Sequence, residues 1–121
     1  MAATLRTKEG ETRYHAYLKH LQEKGDDQCV LCPKIPLHSF QFYKIVQNDF
    51  PYDRLAETHH MLIPLRHSAE SELLKEEKIE LQHIKEDYLD ENYHYIIEAT
   101  NRNKSVPGHF HLHLIVMKDV F

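Results

Sequence analysis

The chain has 121 residues, the usual size of one compact domain and too little material for two independent cores. Its hydrophobic share of 41% and charged share of 28% are typical of a soluble globular protein, and no apolar run approaches the ~20 residues that cross a bilayer. The net charge of −4 argues against a protein that coats nucleic acid, because such binding needs a basic face. A small nucleotide is not excluded by this charge.

The first ten residues alternate small, polar and charged side chains without the hydrophobic stretch of a secretory signal. We therefore expect residues 1–10 to be flexible and the protein to be cytoplasmic. In a reducing compartment the two cysteines are expected to be thiols or metal ligands rather than a structural disulfide.

The first half of the chain predicts one helix and two strands. Apolar side chains fall at helical spacing over residues 12–24, and Gly25 follows as a C-cap. Residues 26–39 hold two prolines and both cysteines and are predicted to be irregular. Strand patterns follow at residues 40–47 and 58–64, and a proline ends the second.

The second half of the chain predicts a long helix and two more strands. Residues 68–91 are charged, with Ser68 or Ser71 as the cap and a buried stripe formed by Leu74, Leu81, Ile84 and Tyr88. Strands are predicted at 93–99 and 109–117, with a polar loop between them. Because no βαβ pattern repeats, we predict a single α+β domain over residues 1–121, built on an antiparallel sheet.

Eleven histidines are the outlier of the composition, and three of them alternate with apolar residues in the last predicted strand. Successive side chains of a strand point to opposite faces, so His109, His111 and His113 share one face. We expect His111 to face solvent there and the apolar residues between the histidines to face a core. Such a row offers proton donors, acceptors and metal ligands near neutral pH. A plain solvated face and a metal site without chemistry are the alternatives.

The pattern His-x-His-x-His with apolar x resembles the signature of the histidine-triad family. Three earlier segments are similar to other family segments, in the family's order. Cys29–Ile35 resembles the Cys-x-x-Cys-Lys-Ile opening of many bacterial members, and Asn48–Tyr52 the Asn-x-Phe-Pro-Tyr segment of the diadenosine-polyphosphate branch. Thr58–His67 resembles the His-x-Leu-Val-Ile-Pro-x-x-His strand. The resemblance implies a HIT-like α+β fold, with one long helix and an N-terminal helix, and a homodimer.

The resemblance assigns a catalytic role to three histidines. His111 would attack the α-phosphorus of a nucleotide and form a covalent nucleotidyl-histidine, which requires a carbonyl acceptor to hold its other N–H. His113 would donate hydrogen bonds to phosphate oxygens, and His59 would join it from the neighbouring strand. An exposed histidine at a strand start is the alternative for His59. Asn48 would contact the ribose hydroxyls, although a turn-forming role explains it equally well.

The approach to the three histidines departs from the family pattern. Many members carry Gly, Gln and Ser there, which contact the phosphate and the leaving group. This chain has Lys104–Gly108 instead, and Ser105 and Lys104 are expected to replace those donors as substrate-binding residues, together with His109. The segment resembles family branches with a proline-rich approach, which leaves the substrate class open.

Cys29-x-x-Cys32 has a spacing that lets two thiolates share one metal. In the zinc-bearing members of the family the ligands resemble Cys29, Cys32, His67 and His109, and all four positions are filled here. The resemblance therefore implies a closed structural zinc site that ties down residues 25–39. In that case His109 is a metal ligand and not a proton donor. Two reduced cysteines that pack as small apolar groups are the alternative.

Together these features predict an enzyme, a histidine-triad nucleotide hydrolase that cleaves a nucleoside phosphoramidate or a dinucleoside polyphosphate at the α-phosphate. The expected substrate is a purine nucleotide or dinucleotide. A nucleotidyltransferase or phosphorylase of the same superfamily and a non-catalytic nucleotide-binding protein are the alternatives. Processing of RNA or DNA ends is disfavoured by the acidic charge balance.

Overall fold

The computed structural model describes residues 4–25 and 29–118, and within these ranges it contains two main helices and five strands. The helices are α1 (Lys8–Lys24) and α2 (Lys75–Ile84), and the strands are β1 (His38–Ser39), β2 (Tyr43–Gln47), β3 (Ala56–Pro64), β4 (Tyr95–Ile97) and β5 (Leu112–Met117). The strands form one sheet in the order β1-β2-β3-β5-β4, and every neighbouring pair is antiparallel. The predicted α+β class with an antiparallel sheet is confirmed.

Helix α1 begins four residues before the predicted start. Thr7 is its N-cap, since the Thr7 hydroxyl accepts the N–H of Gly10 at 3.1 Å. The apolar periodicity begins only at Tyr14, so the pattern alone misses this first turn. The helix ends at Gly25 in the left-handed conformation with φ 69°, and this predicted C-cap is confirmed. Of the segments expected to be flexible or zinc-binding, residues 1–3 and 26–28 lie outside the described residues.

The predicted helix over residues 68–91 is divided into shorter pieces. A single 3₁₀ turn at Glu70–Glu72 precedes α2, and a π-helical turn at Lys85–Leu89 follows it. The predicted serine caps are wrong, because α2 begins after Leu74 and the Ser68 hydroxyl donates instead to the carbonyl of Arg66 at 3.1 Å. A glutamate carboxylate, and not a serine hydroxyl, caps the start of α2.

The buried stripe of this region is only partly the predicted one. Leu74 is 54% exposed, whereas its neighbour Leu73 is buried. Ile84 is buried as predicted, and Leu81 and Tyr88 are half-buried against the same core, but the fully buried residue beyond Ile84 is Leu89. A π-helical turn holds more residues than an α-helical turn, so it shifts the buried positions by about one residue. A regular 3.6-residue period does not anticipate that shift.

Both faces of the central strands are covered. One face packs a core that includes Phe110, Leu112 and Leu114, as the alternation predicted. The other face packs a second, smaller cluster formed by Leu31, Val46, Met61 and Ile63, together with the loop that holds the cysteines. The histidine face is therefore not open to solvent, and the prediction that His111 faces solvent is wrong, since its exposed fraction is 4%. In the described parts of the chain, neither helix is long and apolar enough to cross a membrane.

The carboxylate at the start of α2 gives a test of this local structure. Glu77 is buried, and its Oε1 accepts the N–H of Leu74 at 2.7 Å and a guanidinium N–H of Arg66 at 2.8 Å. The hydrogen bond from Arg66 lowers the pKa of this carboxyl, so Glu77 is charged at neutral pH. We expect Glu77→Ala to lower the free energy of unfolding by about 1–2 kcal/mol, as for the loss of a helix cap.

Urea denaturation measures this change, and Glu76→Ala, at the exposed neighbouring position, is the matched control. A change in the control of less than about 0.5 kcal/mol is expected. Equal effects of the two substitutions would show that the Glu77 carboxylate does not cap the helix.

Candidate functional site

Two of the three alternating histidines border a cavity of about 700 Å³, called here the main cavity. His111 and His113 form part of its wall. Asn48, in the connection between β2 and β3, also lines it. Helix α1 supplies another part of the wall through Tyr14 and Tyr17, two residues of its predicted apolar stripe. The helix that the sequence predicts as an ordinary amphipathic element therefore borders the site.

The imidazole of His111 has a defined orientation. Its Nδ1 lies 3.0 Å from the backbone carbonyl oxygen of His109. A carbonyl oxygen only accepts hydrogen bonds, so Nδ1 carries the proton and Nε2 keeps its lone pair. Burial lowers the pKa of His111, and the nearby charge of Lys104 adds to this effect. The result is a neutral imidazole whose free nitrogen is Nε2.

His59 and His113 form a hydrogen bond whose donor and acceptor can be assigned. The backbone N–H of Tyr52 donates to Nδ1 of His59 at 3.0 Å, so a neutral His59 carries its proton on Nε2. That nitrogen lies 2.8 Å from Nδ1 of His113 and donates to it. His113 therefore carries its own proton on Nε2, which lies 3.2 Å from the hydroxyl of Tyr52.

This pair is uncharged in the folded protein. Burial lowers the pKa of His59 to about 3 and that of His113 to about 3, and the charge of Arg6 contributes to both shifts. His59 is 1% exposed, so the alternative of an exposed strand-start histidine does not hold. Burial also raises the pKa of Tyr52, which keeps its hydroxyl protonated. The sequence motif contained Tyr52, but no role had been predicted for it.

Asn48 holds the turn that leads to Tyr52. Its side-chain oxygen accepts the N–H of Phe50 at 2.8 Å, which is the local turn geometry that asparagine favours. The amide nitrogen lies 3.3 Å from Nε2 of His59. The structural role of Asn48 is therefore present, and its position in the cavity wall also leaves the predicted ribose contact open.

The three other predicted substrate-binding residues occupy different positions. Ser105 lines the main cavity, whereas Lys104 is half-buried and acts on His111 through its charge. His109 is 1% exposed, and both of its ring nitrogens are engaged by groups of the chain itself. This geometry favours the metal-ligand role predicted for His109 over contact with a substrate.

Cys29, Cys32, His67 and His109 lie together, with their ligand atoms all within 4.8 Å of one another. Nδ1 of His67 is 3.3 Å from Sγ of Cys32, and Nδ1 of His109 is 3.4 Å from Sγ of Cys29. A tetrahedral metal with bonds of ~2.3 Å to sulfur and ~2.0 Å to nitrogen places these atoms about 3.5 Å apart. The four residues could therefore bind one metal ion.

The surroundings of this cluster support the same arrangement. Nε2 of His109 donates to the carbonyl of Pro64 at 3.0 Å, which leaves Nδ1 unprotonated and facing the thiols. Lys44 is buried, and its ammonium donates to the carbonyls of Cys32 at 3.0 Å and Lys34 at 2.7 Å. This lysine fixes the shape of the cysteine loop. No role was predicted for this lysine from the sequence. The only signal for it is its position within the otherwise apolar run Tyr43–Val46.

No family model and no curated protein matches this sequence. Among solved structures, the chain is similar to a histidine triad protein from Clostridium difficile, known from a structure at 0.95 Å resolution. The sequence identity is 16% and the TM-score is 0.49, and the similarity covers 86% of this chain and 91% of that chain. A similarity at this identity and TM-score assigns this chain neither a substrate nor an activity.

The buried histidine pair predicts a pH-dependent stability. The pKa of about 3 for His59 and His113 in the folded protein lies below the ~6.5 of a histidine in an unfolded chain. As the pH falls, the unfolded state therefore binds protons first, and stability is lost progressively below about pH 6.5. We expect the free energy of unfolding to fall by about 1–2 kcal/mol per histidine between about pH 7.5 and pH 5.

Urea denaturation at a series of pH values measures this loss, and the variant His113→Gln should show a shallower pH dependence than the wild type. A wild-type stability that stays constant down to about pH 5 would contradict the neutral, buried state of the pair.

Proposed function

We propose that this protein is a histidine-triad nucleotide hydrolase in which His111 attacks the α-phosphorus of its substrate. The observation that carries the proposal is the hydrogen bond from Nδ1 of His111 to the carbonyl of His109, which leaves Nε2 as a free nucleophile. The nucleophile borders a cavity of about 700 Å³, within the ~300–1,000 Å³ of small-molecule sites. Geometry and volume together suit attack on a bound nucleotide.

The reaction proceeds in two displacement steps. The lone pair on Nε2 of His111 forms a bond to phosphorus, and the bond between phosphorus and the leaving nitrogen or oxygen breaks. The leaving group departs with that electron pair and takes a proton from solvent. Water then attacks the phosphorus, its proton passes to solvent, and the bond to His111 breaks with return of the lone pair to Nε2. Hydrolysis leaves a nucleoside monophosphate and a regenerated enzyme.

The other predicted residues are assigned supporting roles. His113 presents its Nε2–H to a phosphate oxygen when the substrate displaces its contact with Tyr52, and His59 holds His113 in the required tautomer. Ser105 adds a hydroxyl donor to the phosphate, and Lys104 contributes positive charge. These roles combine neutral hydrogen-bonding histidines with one nearby positive charge around the transferred nucleotidyl group.

The base and the ribose are assigned to the aromatic part of the main cavity. The ring of Phe50 lies with its centroid 4.7 Å from that of Tyr17 and 5.5 Å from that of Tyr14, and all three residues line the cavity. Such an aromatic cluster offers faces and edges on which a purine packs. Asn48 lies between this cluster and the histidines, where its amide meets the ribose hydroxyls.

A nucleotidyltransferase is the second candidate. A further cavity of about 460 Å³ shares Ser105 and His113 with the main cavity. It has room for an acceptor that would attack in place of water. Product analysis with and without inorganic phosphate distinguishes the two reactions, since a phosphorolytic transferase would release a nucleoside diphosphate.

The resemblance also implies a homodimer. Strand β4 lies at the edge of the sheet and exposes Tyr95 and Ile96, with exposed fractions of 59% and 41%. An exposed apolar edge of this kind suits pairing with a second copy. Light scattering of the purified protein measures the oligomeric state.

Substitution of the nucleophile tests the proposed mechanism. We expect His111→Asn to lower the hydrolysis of adenosine 5′-phosphoramidate by at least about 10⁴-fold, because no other side chain supplies the attacking nitrogen. An asparagine amide can still donate to the carbonyl of His109, so we expect AMP to bind within severalfold of the wild type. Chromatography of released AMP measures the rate.

The matched control is His60→Asn, a histidine whose Nδ1 contacts the hydroxyl of Tyr93 at 2.7 Å and which does not line the main cavity. It should retain most of the activity. Turnover by a folded His111→Asn variant within tenfold of the wild type would overturn the mechanism; the tenfold limit corresponds to about 1.4 kcal/mol of transition-state stabilisation.

We propose zinc as the metal of the cysteine and histidine cluster, because two thiolates and two imidazoles are the donors of closed structural zinc sites. When bound, the metal supplies folding energy and has no open position for a substrate. The chain's own part is to hold the four donors, through the Pro64 carbonyl on His109 and the Lys44 ammonium beneath the cysteine loop.

Elemental analysis of protein prepared without chelator should find close to one zinc per chain. We expect Cys32→Ser to lose the metal and to lower the melting temperature, whereas His83→Asn, at an exposed position on α2, should keep it. A metal-free wild-type protein whose Cys29 and Cys32 react as free thiols would contradict the proposal.

A further inference from the structure

The main cavity meets a second cavity of about 460 Å³, called here the side cavity. Four residues line both of them: Arg6, Tyr14, Ser105 and His113. The two cavities therefore join beside His113, whose ring centroid lies 5.1 Å from that of His111. A substrate that enters both places its linking group at this junction, next to the proposed nucleophile.

Arg6 lies at the junction with its side chain only 12% exposed. Its Nε donates to the backbone carbonyl of Phe50 at 2.8 Å. The guanidinium carbon lies 4.0 Å from the ring centroid of Tyr14 and 5.1 Å from that of Tyr52. Two aromatic rings and one carbonyl thus fix the plane of this guanidinium.

The charge of Arg6 is only weakly compensated. Within the described part of the chain, its ion pair is with Glu11 at 3.9 Å, which is longer than a hydrogen bond. Glu11 itself contacts the imidazole of His15 at 3.1 Å. The terminal guanidinium nitrogens therefore have donor capacity left for a ligand, in a partly desolvated position where an anion gains most from it.

The N-terminal segment is anchored so that Arg6 reaches this place. The next residue, Thr7, caps α1, and its N–H and hydroxyl donate to the two carboxylate oxygens of Asp53 at 2.7 Å and 2.8 Å. Asp53 belongs to the same connection between β2 and β3 that carries Phe50 and Tyr52. A common anchor thus fixes the guanidinium relative to His59 and His113.

We propose that Arg6 is a phosphate-binding residue of this site, and that it holds the phosphate of the substrate at the junction of the two cavities. This inference rests on the proposed function, since it places Arg6 on the same phosphate that His111 attacks. A guanidinium presents parallel N–H donors that match two phosphate oxygens. It supplies the positive charge that the neutral histidines lack. The segment Lys104–Gly108 lacks the phosphate-contacting residues of the family pattern, and Arg6 offers a donor in their place.

Direct binding separates this role from a structural one. AMP and adenosine differ only by the phosphate, so the ratio of their dissociation constants measures how much the phosphate contributes. We expect Arg6→Gln to weaken AMP binding by about 10-fold or more, the loss of a charge-assisted hydrogen-bonded pair, and to leave adenosine binding nearly unchanged. Arg6→Lys keeps the charge without the planar fork and should recover part of the affinity.

Calorimetric titration of AMP and adenosine into the full chain measures these ratios, and Arg54→Gln is the matched control. Arg54 is exposed and does not line either cavity. If Arg6→Gln and Arg54→Gln bind AMP alike, the proposal is wrong. If Arg6→Gln weakens AMP and adenosine equally, Arg6 only shapes the cavity, and the proposal is also wrong. Should Arg6→Gln fail to fold, Arg6→Lys decides by the same ratio of dissociation constants. A weaker preference for AMP over adenosine than in the wild type supports the proposal, and an unchanged preference overturns the role of the planar guanidinium.

The outcome is independent of turnover. Loss of the AMP preference in Arg6→Gln, together with no nucleotide hydrolysis by the wild type, would leave the phosphate site standing and overturn the proposed reaction. Wild-type hydrolysis that depends on His111, with an unchanged AMP preference in Arg6→Gln, would overturn the role of Arg6 alone.

Discussion

The hydrogen bond between Nδ1 of His111 and the carbonyl oxygen of His109 is the constraint on which the candidate site depends. It joins two histidines with different proposed roles. The ring of His109 faces the thiols of the cysteine loop and is held from behind by the carbonyl of Pro64, so its backbone position is fixed. The carbonyl of the same residue then selects the tautomer of His111. In this arrangement the cluster of two cysteines and two histidines is joined to the proposed nucleophile through one residue of backbone.

Burial has an electrostatic consequence for the whole site. With both faces of the sheet covered, His113 on β5 and His111 just before it lie in a poorly solvated region that disfavours the imidazolium form. The histidines therefore contribute oriented hydrogen bonds to the site and not positive charge. Positive charge comes from outside the sheet, from Arg6 at the cavity junction and from Lys104 before β5. A neutral nucleophile beside separate cations suits attack on an anionic phosphate, because the nucleophile keeps its lone pair.

Period-two alternation and motif spacing carried most of what the sequence could predict. The alternation placed the apolar residues of β5 in a core, and the spacing of Cys29 and Cys32 matched a cluster that the structure brings together. The carbonyl acceptor expected for His111 is also present. These features are local, since each depends on residues a few positions apart or on one strand geometry.

The features that the sequence could not supply depend on distant contacts. Alternation states which residues share a face but not what packs on it, so the burial of His111 was missed. Arg6 contacts the carbonyl of Phe50, 44 residues further along the chain, and no pattern near residue 6 indicates that contact. The π-helical turn at Lys85–Leu89 depends in the same way on packing and not on composition. In each of these features the local structure is determined by contacts between residues that are distant in the sequence.

Identification of the residue that carries the nucleotidyl group during turnover tests the proposed mechanism most directly. The protein is mixed with adenosine 5′-phosphoramidate, quenched in alkali, where a phosphoramidate survives, digested, and analysed by mass spectrometry. We expect one nucleotidyl group on the peptide that contains His111, attached to its imidazole. A protein that hydrolyses the substrate with no adduct in the quenched samples, or with the adduct on His59 or His113, would contradict it.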